Sequence, residues 1–215
     1  MARKRPSNPL ALAVLASLYE RPMHPYEMAS MMRSRGKDAS IKLNYGSLYT
    51  VVETLERRGL IAPHETQREG RRPERTVYGL TDAGRIMLID WLSELISTPV
   101  KEYTQFEAAL SFLGVLPPDE VATLLREREG HLDVEIRQLR AVLEMTVERQ
   151  IPRLFTVEGE YWLMLREAER AWVSQLAGEI ERGELASLDL WRELHAQIAA
   201  GQPISYPEGG VIEDD

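Results

Sequence analysis

The sequence predicts a mainly α protein with a small β-hairpin wing: an N-terminal winged helix-turn-helix followed by an all-α C-terminal dimerisation domain. Three observations carry that prediction. Three short amphipathic helices are followed by two strand-like runs around a basic turn, and then by a fourth helix. Beyond a Pro-marked boundary the pattern is wholly helical, with one long apolar stripe at three- and four-residue steps. Charge also divides the chain. Residues 1–97 hold 15 Lys+Arg against 11 Asp+Glu, net +4, whereas residues 98–215 hold 11 against 23, net -12. The overall charge of -8 therefore conceals a basic module joined to an acidic one.

Each element has a local cause. Asn8-Pro9 caps a first helix running to about Tyr19, with Leu10, Val14, Leu15 and Leu18 on one face; Arg21-Pro22 ends it. A second helix opens at His24-Pro25, takes Tyr26, Met28, Met31 and Met32 as its apolar members, and stops at Arg35-Gly36-Lys37. A third begins near Asn44, aligns Leu48, Val51, Val52 and Leu55, and ends at Gly59. Residues 60–66 and 75–80 read as strands flanking the polar loop 67–74, and Thr81 caps a helix that reaches Ile96. After Ser97-Thr98-Pro99 comes a helix over Phe106–Leu113, closed near Gly114, and a long one from Pro117-Pro118 to Pro152. Another covers about Glu158 to Gly183, and a short one carries Leu188, Trp191, Leu194 and Ile198. The expected domains are residues 1–97 for DNA binding, 98–200 for dimerisation, and a flexible acidic tail over 201–215.

A chain of 215 residues with 44% hydrophobic content can bury one good core or two small ones. Cysteine is absent, so disulfides, thiolate metal sites and redox thiols are excluded, in keeping with a reducing cytoplasm. The start, Met1-Ala-Arg-Lys-Arg5 and then Leu10 to Leu18, has the outline of a secretory signal. Tyr19-Glu20-Arg21-Pro22 is a poor cleavage site, so the favoured reading is a basic arm on a helix of the fold. No apolar stretch approaches the roughly 18 residues that cross a bilayer, and no membrane partner is expected.

On a helical wheel the third helix turns Tyr45, Gly46, Ser47, Tyr49, Thr50, Glu53 and Arg57 away from its apolar face. Small and hydrogen-bonding groups near a helix start suit entry into the major groove of duplex DNA. Tyr45 and Tyr49 can donate to phosphate oxygens, and Gly46 permits close approach. Glu53 is awkward beside phosphates, though it can accept from a cytosine amino group. An ordinary half-exposed surface helix has the same pattern. The following loop weighs against that bland reading: Arg68, Arg71, Arg72 and Arg75 cluster around Gly70 and Pro73, where a wing reaches phosphates or a minor groove. Glu69 and Glu74 partly cancel this charge. Arg3, Lys4 and Arg5 add phosphate contacts or form a loose tail, and both readings stay open.

The motifs resemble those of the PadR family of transcriptional regulators. They are Pro22-Met-His-Pro-Tyr-Glu-Met28, Gly46-Ser-Leu-Tyr49, Leu55-Glu-Arg-Arg-Gly-Leu-Ile61 and Arg72-Pro73 through Tyr78-Gly-Leu-Thr-Asp-Ala-Gly-Arg85, in matching order over residues 9–96. Pro25 stands where that family usually has Gly. The resemblance implies a homodimeric repressor of an operator, built on a winged helix-turn-helix, with C-terminal helices making the dimer. Some members release DNA on binding a phenolic, aromatic or drug-like effector.

The long stripe of Leu125, Leu132, Ile136, Leu139, Leu143 and Val147 needs a cover. In a dimer a twin helix supplies it, and two-fold symmetry then matches a palindromic operator with half-sites about one helical turn, or a multiple, apart. Packing within the chain is the other possibility. Trp162, Trp172 and Trp191 either line a pocket for a flat ligand or serve as core anchors. No phosphate-binding loop, dinucleotide fingerprint or nucleophile elbow occurs, and the four histidines sit on separate elements. No enzyme activity, metal or cofactor is expected. The rival to a DNA-binding regulator is a winged-helix module that contacts another protein without specific DNA binding.

Overall fold

A computed structural model describes residues 8–67 and 75–202 of the chain. They fall into two compact units that divide between Glu102 and Tyr103. The basic arm Arg3, Lys4 and Arg5 and the tail beyond Gln202 lie outside the described residues.

The first unit runs α1 (Pro9–Glu20), α2 (Pro25–Ser34), α3 (Tyr45–Arg57), β1 (Ile61–Gln67), β2 (Arg75–Leu80) and α4 (Asp82–Ser97). Every one of its helices starts on a side-chain cap, because the first turn leaves N–H groups without helical partners. Asn8 Oδ1 accepts from Leu10 N–H at 3.0 Å, His24 Nδ1 from Tyr26 N–H at 3.1 Å, and Asn44 Oδ1 from Ser47 N–H at 2.7 Å. At α4, Thr81 Oγ1 accepts from Gly84 N–H at 3.0 Å and shares its proton between the Gly59 and Leu60 carbonyls, each 2.9 Å away. That cap ties the start of α4 to the end of α3.

Leu10, Val14, Leu15 and Leu18 meet Met28 and Met32, Leu48, Val52 and Leu55, and Leu88 and Trp91 in one buried cluster. Gly84 is forced by this packing. A Cβ there would stand 2.0 Å from the Leu60 carbonyl oxygen, so α4 approaches the chain below it as only glycine allows. Tyr26, read from sequence as part of the apolar face of α2, is 56% exposed. It lies about 200° around the helix from Met28, so the two cannot share a face. A short 3-10 turn over Lys37–Ala39, which the sequence pattern did not announce, links α2 to α3.

β1 and β2 form an antiparallel ribbon with Ile61 opposite Leu80 and Gln67 opposite Arg75. The register shifts between Pro63 and Glu65, a usual accommodation for a proline that cannot donate to a ladder. Met23 pairs with Tyr78 through two backbone bonds of 3.0 and 3.1 Å, which anchors the ribbon to the α1–α2 connection.

The second unit contains α5 (Gln105–Leu110), α6 (Pro118–Glu148), α7 (Val157–Glu181) and α8 (Leu188–Ala199). α5 is shorter than expected. Its chain turns at Phe112 into a 3-10 turn over Leu113–Val115. α6 and α7 lie antiparallel along most of their length, as their cross-links show: Arg126 with Glu181, Arg170 with Asp133, and Arg140 with Glu167.

This hairpin corrects the expectation for the α6 stripe. Leu125 and Leu132 are buried in a cluster with Val173, Ala177 and Ile180 of α7, and Ile136 is buried as well. Leu139 and Leu143 are half-buried, Leu143 lies against the α7 backbone at Gly159, and Val147 is exposed. A neighbour joined by a short connection covers an apolar stripe before a second chain can. Among the described residues no helix is long and apolar enough to cross a membrane.

Candidate nucleic-acid interface

The first four exposed positions of α3 gather at its N-terminal end. Leu48, Val51, Val52 and Leu55 are buried, while Tyr45, Gly46, Ser47, Tyr49, Thr50, Glu53 and Arg57 are exposed, as the wheel places them. Thr50 Oγ1 donates to the Gly46 carbonyl at 3.1 Å, and Thr54 Oγ1 to the Thr50 carbonyl at 2.8 Å. Thr50 thus spends its proton inside the helix and presents a methyl group and lone pairs outward. Arg57 Nη2 donates to Thr54 Oγ1 at 3.1 Å. A Cβ at Gly46 would have only the Asn44 side chain nearby, at 3.8 Å, so nothing within the protein requires glycine there.

The acidic members of the helix lie toward its other end. Tyr78 of β2 donates its hydroxyl to Glu56 Oε2 at 3.3 Å. Burial, reinforced by the charges of Glu56 and Glu53, pushes this phenol above its usual range. Glu53 therefore stands with Glu56 and Tyr78, away from the first turn.

Three side chains of α2 and its cap, absent from the sequence-derived set, join this surface. The Tyr26 and Tyr45 rings stack at 5.9 Å and 10°, and the His24 ring meets the Tyr49 edge at 6.4 Å. Arg33 donates from Nη1 to Tyr45 Oη at 2.6 Å, with its guanidinium carbon 4.6 Å from the ring centre. Their signal was weak in sequence because α2 reads as a helix that only supports α3. The ribbon that follows α3 begins its return strand at Arg75. Arg68, Arg71 and Arg72 lie outside the described residues, as does the side chain of Arg75.

Residues 14–89, which contain α2, α3 and the ribbon, match the family model of the transcriptional regulator PadR-like family. That match lies within the first unit and does not reach the C-terminal one. Members of that family are transcriptional regulators and not enzymes. The negative transcriptional regulator PadR of Bacillus subtilis (strain 168) is 23% identical over 181 residues, which span 80% of this chain and 98% of that protein. Two solved structures share the PadR fold with this chain. Bacillus subtilis PadR in complex with operator DNA superposes with a TM-score of 0.63 at 20% identity, covering 81% of this chain and 99% of that one. The same protein in complex with p-coumaric acid gives 0.63 at 18% identity, covering 80% and 98%.

The C-terminal unit of this chain holds an open cleft of about 680 Å³ between the α5 region, α7 and α8. Trp172 and Trp191 line it with Phe112, Leu176 and Leu194, and no lining residue is ionisable. Trp191 Nε1 donates to the Leu116 carbonyl at 3.0 Å, and Trp172 meets Phe106 edge-on at 6.2 Å. Trp162 is not part of this cleft. Its indole N–H donates to Glu135 at 3.2 Å, and Arg166 covers its ring at 3.9 Å. Of the three expected pocket tryptophans the fold brings two together, because Trp162 lies ten residues before Trp172 on α7, nearly three turns away.

Proposed function

We propose that this chain is a PadR-family regulator, a homodimeric repressor that binds a palindromic operator with α3 in the major groove and the β1–β2 wing on the flanking backbone. The observation that carries the reading is the exposed first turn of α3, where Tyr45, Gly46, Ser47, Tyr49 and Thr50 offer small and hydrogen-bonding groups with no internal need for the glycine. An α-helix fits the major groove, and its N-terminal residues reach base edges. Bacillus subtilis PadR, which shares the fold, is solved with operator DNA and with p-coumaric acid. In this reading Arg57 and the wing arginines Arg68, Arg71, Arg72 and Arg75 grip phosphates, residues 1–97 bind DNA, residues 98–200 pair the chains, and the protein acts in the cytoplasm.

The pairing surface keeps only Val147 of the α6 stripe, whose members Leu125, Leu132 and Ile136 are buried within the chain. Val142, Met145 and Val147 of α6 and Val157, Tyr161 and Leu165 of α7 are exposed at the connected end of the hairpin. An apolar band of this kind is a candidate for a second copy. A small ligand in the cleft beside Trp172 and Trp191 would release the operator. With no cation on its walls, that cleft suits an uncharged flat molecule better than a carboxylate.

Fluorescence anisotropy with a duplex from the protein's own upstream promoter, against a scrambled duplex, tests the core of the reading. Binding at least about 10³-fold tighter to the promoter, falling steeply with salt, is the expected result. No binding to either duplex at low salt would overturn it in favour of a protein-contacting module.

A further inference from the structure

Three arginines around α2 differ in how they are partnered. Arg21 is held by Glu27 at 2.5 Å, and Arg35 is bound by both oxygens of Glu20. These cations are already compensated. Arg33, two residues before Arg35, has no carboxylate partner among the described residues. Among the described residues its side-chain hydrogen bond and ring contact are both with Tyr45, the first residue of α3: one N–H donated to Oη at 2.6 Å and the guanidinium set 4.6 Å over the ring. Tyr26 backs that ring in a near-parallel stack.

The chemistry of this cluster is one-sided. A guanidinium has five N–H donors and no acceptor, and four remain after the bond to Tyr45. Tyr45 Oη accepts from Arg33, so its own proton is free to be donated outward. The pair presents a fixed positive charge and several convergent donors. The group that fits is an anion with more than one oxygen, and Arg is the side chain best suited to binding phosphate through two bonds. The stack restrains the long arginine side chain beforehand, so little rotamer freedom is lost on binding. The cluster sits at the same helix end as Gly46 and Ser47.

We propose that Arg33 and Tyr45 form a clamp for one backbone phosphate of bound duplex DNA, with Tyr26 as the platform that holds Tyr45 in place. The proposal rests on the DNA-binding reading above and adds α2 to it. Arg33 positions the protein on any duplex and reads no base.

The test is a salt titration of the full-length protein by anisotropy, from about 50 to about 200 mM NaCl, on the promoter and scrambled duplexes. R33Q is compared with R35Q, which removes the same charge from a compensated arginine. R33Q is expected to reduce the slope of log affinity against log salt by about 0.9 for each protomer in contact, a loss of about eightfold per contact at 0.1 M. Both duplexes should lose equally, while R35Q stays within about twofold of wild type. R33K keeps the charge without the fork, so it should retain the slope and lose affinity. It also serves if R33Q melts below wild type. Wild-type binding with an unchanged slope in R33Q overturns the clamp alone. So does a loss confined to the promoter duplex, which would make Arg33 a base reader. Failure of the wild type to bind either duplex overturns the DNA reading, and the clamp with it.

Discussion

Gly46 and Gly84 look alike in sequence and have opposite physical reasons. Gly84 is demanded from inside, by the Leu60 carbonyl 2.0 Å from where its Cβ would be. Gly46 is helical, exposed and unconstrained from within, and in the DNA-binding proposal its lack of a side chain serves close approach to the groove. G46A should therefore leave thermal stability unchanged or raise it, by at most about 1 kcal/mol, because alanine favours the helix. The same substitution should weaken promoter binding at least about tenfold, since a methyl group would stand between helix and groove. Circular dichroism melts and anisotropy on one preparation check both halves, and a variant that melts lower and still binds normally would contradict the argument. At this scale the exposed set of α3 was legible, because a wheel separates four buried aliphatics from seven polar or small neighbours. Arg33 was not, because only the approach of α2 to Tyr45 brings it to that surface.

The α6–α7 hairpin is joined by charge as well as by its apolar seam. Arg126 bridges Glu129 and Glu181, Arg170 bridges Glu129 and Asp133, and Arg166 meets Glu169 and Glu135. The hydrogen bond from Arg126, helped by Ser174 and by the charge of Arg170, holds the Glu129 carboxyl below the usual glutamate range. A carboxylate whose folded pKa is depressed contributes stability above its unfolded value of about 4.3 and loses it as the pH falls through the folded value. The stability gap between wild type and E129Q should then be widest near neutral pH and shrink below about pH 4.3. A gap independent of pH, measured by thermal melts across that range, would assign the effect of Glu129 to packing. Sequence periodicity identified both helices and their lengths. It could not show that they pair with each other, because the stripe on α6 satisfies a neighbour in its own chain and a twin equally well.

For the whole molecule, the burial of Leu125, Leu132 and Ile136 within one chain moves the proposed dimer contact to the connected end of the hairpin. L165E places a charge in that band, at a residue outside the buried cluster of the hairpin. Light scattering should then report the 24.5 kDa single chain in place of about twice that mass, and promoter affinity should fall as the two half-sites lose their linkage. A dimer that persists in L165E would place the pairing surface elsewhere. The charge asymmetry fits this division of labour, since a net negative C-terminal region is repelled by DNA and leaves contact to the basic one.

The sequence by itself determined the kind of element at nearly every position, the winged order of three helices, a ribbon and a helix, and the side of α3 that stays wet. These depend on short-range causes: caps, prolines, and apolar spacing at 3.6 or 2 residues, all read within a few residues of chain. Tertiary structure alone decided which stripe covers which, that Trp172 and Trp191 share a cleft without Trp162, and that Arg33 rests on Tyr45. Those facts depend on distances between residues far apart in the chain, and periodicity carries no information about the partner a face will meet.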